Sequence, residues 1–128
     1  MSSKFFNLGA FCAFLGVAFG AFGAHSLKAV LSPELMTVYQ TGVTYQMWHS
    51  LGLIIVALVQ HNISGSTAIN RAGWLMFLGI VLFSGSLYLR VLLDQPVFGM
   101  ITPLGGVCFL LAWLTLCFSA RNITKKNL

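Results

Sequence analysis

Four apolar stretches, at roughly residues 5–24, 41–59, 73–93 and 97–119, take up most of a chain of 128 residues. Each is about 20 residues long, the length an α-helix needs to cross the ~30 Å hydrocarbon core of a bilayer. Only short polar segments separate them, so little chain remains for a water-soluble domain. The backbone must satisfy its own hydrogen bonds inside lipid, and a helix does so within one segment. The predicted fold is all-α: one integral membrane four-helix bundle over residues 1–128.

Composition points the same way. Charged residues are 7% and hydrophobic residues 58% of the chain. A soluble domain carries about 25% charged residues, and far fewer cannot cover its surface. The net charge of +5 does not indicate nucleic acid. Lys4, Lys28, Arg71, Arg90, Arg121, Lys125 and Lys126 fall at helix ends and in the tail, where they act as topology signals and meet anionic head groups. No basic face interleaved with aromatics is available, so membrane lipids are the expected partners and nucleic acid is not. Lys4 followed by an apolar run resembles a secretory signal, but the run is too long for one and three more spans follow. It reads as an uncleaved first transmembrane helix.

Four spans place both termini on one side. That side holds Lys4, Arg71, Arg121, Lys125 and Lys126 with no acid; the other holds Lys28 and Arg90 balanced by Glu34 and Asp94. The excess of Lys and Arg marks the cytoplasmic side. Both termini are therefore expected in the cytoplasm, with the chain multi-pass in the inner (plasma) membrane.

In helix one, Gly9, Gly16, Gly20 and Gly23 are spaced by 7, 4 and 3 and form one stripe. Lipid tails give helices no hydrophobic reason to associate, so close approach through small residues supplies the attraction. The stripe is read as a packing face, first for a neighbour in the bundle and otherwise for a second copy in a homo-oligomer or a partner membrane protein. Ser32-Pro33-Glu34 is a helix start, with Ser at the N-cap, Pro at the first position and an acid in the first turn. Helix two should thus begin before its apolar section. Arg90 and Asp94 are four apart and are expected to pair on helix three. In Thr102-Pro103-Leu104-Gly105-Gly106, the proline is expected to kink helix four and leave carbonyls for a bundle neighbour, a ligand or an ion.

The most informative polar cluster is Tyr45-Gln46-Met47-Trp48-His49, where Tyr45, Gln46 and His49 can share a face. His49 lies about eight residues into its span, some 12 Å deep at 1.5 Å per residue. A titratable residue at that depth is costly and marks either a site or interhelical glue. His25, Tyr45, Gln46, His49, Ser84, Ser86, Tyr88, Arg90 and Thr102 all map to the non-cytoplasmic half, and they are the candidate ligand-binding residues. The inner half has almost no polar side chains.

Catalytic machinery is not legible. There is no GxSxG, HExxH, P-loop or dinucleotide fingerprint, and the two carboxylates, Glu34 and Asp94, sit near the surface. Cys12, Cys108 and Cys117 lie in apolar spans without metal-ligand spacing. No catalytic residue, metal or cofactor is expected.

The segments 20–25, 40–49, 83–88 and 102–106 together resemble the domain-of-unknown-function 423 family, small bacterial inner-membrane proteins with eukaryotic relatives. Four motifs in order and at suitable spacing carry the likeness over nearly the whole chain. The resemblance implies a four-helix membrane protein of uncharacterised activity and supplies no functional residues. The expected function is a non-enzymatic bundle that binds a lipid, a quinone-like molecule or a partner protein in its outer half. The alternative is a small, proton-linked transporter or channel subunit acting as an oligomer.

Overall fold

A computed structural model describes residues 4–63 and 65–126, with side chains to residue 119; the side chains of Arg121, Lys125 and Lys126 lie outside the described residues. The described residues are mostly helical, and four helical segments are long and apolar enough to cross a membrane: Lys4–Ala29, Pro33–Asn62, Thr67–Leu92 and Pro96–Ser119. Helix α1 spans Lys4–His25 and α2 spans Pro33–Asn62. The third span joins α3, Thr67–Gly79, to α4, Gly85–Leu92, through a π-helical turn at Ile80–Ser84. Helix α5 covers Thr102–Lys126.

Local chemistry sets the helix ends. Ser32 caps α2 by accepting a hydrogen bond from the Leu35 N–H at 3.2 Å, with Pro33 at the first position. At 30 residues α2 is about 45 Å long, more than the ~30 Å core requires. Its first turns therefore extend beyond the apolar section. Ser66 caps α3 through the Ile69 N–H at 3.3 Å.

Two expectations are corrected here. Arg90 and Asp94 do not pair, because the helix ends before the acid is reached. Asp94 turns left-handed, with φ 49°, and the Gln95 N–H closes the end on the Arg90 carbonyl at 3.2 Å. This is a Schellman-like ending with aspartate where glycine is usual. A left-handed conformation costs an L-residue about 1–2 kcal/mol, so Asp94→Gly should raise stability by about 1 kcal/mol. Denaturant titration in mixed micelles reads that gain; a loss would refute it. Secondly, Pro103 does not kink helix four. The segment Pro96–Met100 forms a 3-10 turn, and α5 starts at Thr102. Pro103 thus occupies the first turn, where backbone N–H groups have no partner within the helix, and it removes no bond.

Helix α1 rests mainly on α2, and the third span lies between α2 and α5. Glycine makes the first contact close. A Cβ on Gly9 would stand 2.7 Å from the Ser50 carbonyl oxygen, and one on Gly16 would stand 2.5 Å from the Met47 sulfur. Gly23 faces the Tyr39 ring and Gly20 faces Val43. The small-residue stripe is therefore taken up inside the bundle by α2. One apolar cluster of Phe5, Leu53, Val56, Ile69, Met76, Phe109 and Ala112 fills the end near the chain termini. A second, around Leu27, Tyr39 and Val91, fills the end where α1–α2 and α4–α5 connect.

Candidate functional site

Polar side chains inside a bilayer must find partners within the protein. A helical carbonyl already bonded along its helix still has a second lone pair. The buried polar residues of α2 and the third span use this device. Gln46 is 3% exposed; its Nε2 donates to the Cys12 carbonyl on α1 at 2.8 Å, and its Oε1 accepts from the Tyr88 hydroxyl at 2.5 Å. One side chain thereby ties α1, α2 and α4 together. Ser84 donates to the Gly42 carbonyl at 2.6 Å, Tyr39 to the Phe19 carbonyl at 2.5 Å, and Ser50 to the Gln46 carbonyl at 2.5 Å. Tyr88 fits because Gly42 is bare: a Cβ there would lie 2.9 Å from its ring.

His49 belongs to a separate constellation facing α5. Its Nδ1 lies 2.7 Å from the Tyr45 carbonyl, and the Trp113 indole N–H donates to its Nε2 at 3.0 Å. A carbonyl only accepts and an indole N–H only donates, so the network assigns the neutral imidazole with the proton on Nδ1. The ring stacks on Phe109 with centroids 3.5 Å apart and planes at 10°. Tyr45 stacks on Phe83 at 4.6 Å and 18°. Both ring nitrogens of His49 are engaged, so the residue holds α2 to α5 and presents no free lone pair to a metal or haem iron. Among the described residues, no group of three His, Cys, Asp or Glu could hold a metal ion.

The nine candidate residues therefore do not converge on one pocket. Gln46 and Tyr88 bond each other, Ser84 bonds the Gly42 carbonyl separately, and Tyr45 and His49 form another group. Ser86 and Thr102 bond each other at 2.6 Å, pinning the third span to the first turn of α5. Arg90 is half-buried, with its aliphatic stem near Gly99. His25 is exposed at the end of α1 and joins none of these networks. Sequence reasoning missed Trp113 and Phe109, the main partners of His49. The signal was present in Trp113, since an indole N–H inside lipid requires an acceptor and a buried histidine supplies one.

Among the open grooves of this layout, two lie on opposite sides of the central pair formed by α2 and the third span. One, of about 480 Å³, lies between α2 and α5 and is lined by Tyr45, His49, Pro103, Gly106, Val107, Phe109, Leu110 and Trp113. The other, of about 440 Å³, lies between α1 and the third span over Gln46, Ser84 and Tyr88. Gly106 and Gly85 border these grooves without being demanded by packing. A Cβ on Gly106 would meet only the Phe83 ring edge at 3.9 Å, and one on Gly85 would meet nothing within 4 Å.

Comparison with known proteins gives a consistent result. The family model described as "Protein of unknown function (DUF423)" matches residues 19–106. The UPF0382 membrane protein YwdK of Bacillus subtilis is 47% identical over 116 residues, covering 91% of this chain and 94% of that protein. A UPF0382 membrane protein of Staphylococcus haemolyticus is 50% identical over 117 residues, covering 90% and 93%. One from Staphylococcus saprophyticus is 48% identical over 121 residues, covering 93% and 98%. No solved structure matches the chain.

Proposed function

This chain belongs to the DUF423 family, with relatives named as membrane proteins, and on that premise we propose that it is a non-enzymatic bundle that holds an apolar ligand in the groove between α2 and α5. The ligand class is a lipid or a quinone-like molecule. The protein spans the inner (plasma) membrane with both termini in the cytoplasm, so this groove opens toward the outer leaflet. The carrying observation is Gly106. A helical glycine costs about 1 kcal/mol relative to alanine, and no close neighbour requires this one. Its absent side chain leaves space between the Tyr45, His49, Phe109 and Trp113 rings. Flat aromatic walls, with the His49 nitrogens and the Trp113 N–H already bonded, suit a planar ring or an acyl chain. Tyr45 lines the groove and is 42% exposed, which leaves its hydroxyl available to a ligand oxygen.

Nothing in this arrangement resembles a nucleophile beside a base. The transporter alternative rests on His49 beside the Pro103-Gly105-Gly106 segment, and the continuity of α5 from Thr102 favours the groove reading over it.

Photolabelling tests the reading. The protein is reconstituted with a diazirine-bearing phospholipid or a diazirine-bearing quinone analogue, irradiated and mapped by peptide. Label should concentrate on residues 103–113 for one probe, and Gly106→Leu should reduce it by about tenfold, equivalent to about 1.4 kcal/mol. Melting of the variant in detergent controls for its fold. Labelling unchanged by Gly106→Leu would refute the assignment.

A further inference from the structure

We propose that the second groove, between α1 and the third span, seats one anionic phospholipid, with an acyl chain in the groove and the phosphate at Lys4 and Arg71. This site is separate from the α2–α5 groove and does not depend on the reading given to it.

The two walls run parallel and in register. At the chain-terminus end the Lys4 ammonium lies 5.1 Å from the Trp74 ring centroid, and Phe5 meets the same ring edge-on at 5.3 Å. From there the walls rise from Leu8 and Phe77 to Phe19 and Tyr88. Eleven residues of α1 separate Leu8 from Phe19, so the groove runs about 16 Å along the helix axis.

Its floor is polar in composition but not in offer. Gln46, Ser84 and Tyr88 all border it, yet the Ser84 and Tyr88 hydroxyl protons, the Gln46 oxygen and one of the two Gln46 N–H groups are already bonded within the bundle. A guest with its own hydrogen-bonding groups gains little there, whereas a hydrocarbon chain breaks none of these bonds. Gly85 leaves the passage open, with no atom within 4 Å of the place a Cβ would take.

Charge selects the head group. Lys4 sits over Trp74, and Arg71 is exposed one turn before it on α3. The only side-chain carboxylates in the chain, Glu34 and Asp94, stand at the opposite end, at the start of α2 and after α4. Lys4 and Arg71 thus both stand at the end from which the apolar groove begins, and among the described residues no side-chain carboxylate lies at that end. Trp74, 44% exposed, suits the head-group level where amphipathic rings collect. A phosphodiester carrying one net negative charge complements both parts of the site. A free phosphate would use only the mouth, and a zwitterionic lipid would bring its own cation to it.

The full chain is reconstituted in phosphatidylcholine vesicles containing phosphatidylglycerol, extracted gently and examined by native mass spectrometry for retained lipid. Each cation near an anionic head group is worth about fivefold in binding. The natural protein should therefore favour phosphatidylglycerol by about 25-fold, from the two cations together. Lys4→Gln with Arg71→Gln should bring the two lipids near parity. Gly85→Phe should abolish retention of this lipid, and Gly106→Leu should leave it intact. Val81→Trp, on the same wall, repeats the occlusion should Gly85→Phe not fold. Equal retention of both lipids by the natural protein would overturn the proposal. So would a preference that survives loss of both cations, or retention that survives occlusion.

Discussion

Gly105→Ala is expected to destabilise the bundle by about 3 kcal/mol, the upper end of what overpacking a well-filled contact costs. The adjacent Gly106→Ala should be neutral or stabilising by up to about 1 kcal/mol, as helix propensity alone dictates. The contrast comes from what each Cβ would meet. At Gly105 it would press on the backbone of Phe83, with the Phe83 Cα only 2.7 Å away. Backbone in the middle of a span cannot swing aside as a side-chain tip can. At Gly106 the nearest atom is a ring carbon at 3.9 Å. Unfolding by sodium dodecyl sulfate in mixed micelles compares the pair directly. Equal midpoints for the two variants would show that α5 does not lie against the third span as described.

The second large effect falls on Gln46. Gln46→Leu keeps the side-chain bulk but removes the acceptor for Tyr88 and the donor to the Cys12 carbonyl. The expected loss is about 2 kcal/mol: the orphaned tyrosine hydroxyl accounts for most of it, because an unmade buried bond costs about 1–3 kcal/mol. The Cys12 carbonyl loses only a second bond. Tyr88→Phe in the Gln46→Leu background should then recover part of the loss, since no hydroxyl remains to be buried unpaired. A double-mutant cycle gives the coupling, expected near 1 kcal/mol and in the range found for hydrogen bonds between membrane helices. A coupling of zero would place Tyr88 elsewhere.

The sequence carried the spans because hydrophobic length is a one-dimensional property and needs no partner to be recognised. The cap at Ser32 and the glycine stripe of α1 were legible for a similar reason: both are defined by fixed local spacing along the chain. The site was less legible. Tyr45, Gln46 and His49 were found as a cluster along α2, but three and four residues of spacing still leave 60° and 40° between side chains. That spread lets Gln46 face α1 and Tyr88 while His49 faces Phe109 and Trp113. Acceptors such as the Cys12 and Gly42 carbonyls have no sequence signature, because every residue has one. Arg90 and Asp94 misled because a spacing of four implies a pair only while the helix continues, and this one stops at Leu92. Pro103 misled in the opposite sense, because its effect depends on how far it lies from a helix start that composition does not mark.

The turn at Ile80–Ser84 gives the third span one residue more than a regular helix would use there, closing from the Gly85 N–H to the Ile80 carbonyl. Each residue advances an α-helix by about 100°, so that surplus sets the rotational phase of everything from Gly85 to Leu92. Ser86 and Tyr88 reach Thr102 and Gln46 because of it. A chain one residue shorter between Gly79 and Gly85 would keep the same hydropathy profile and the same number of crossings. Its final two turns before the α4–α5 connection would be indexed out of step with both neighbours. In this segment, insertions and deletions should be tolerated less than most substitutions.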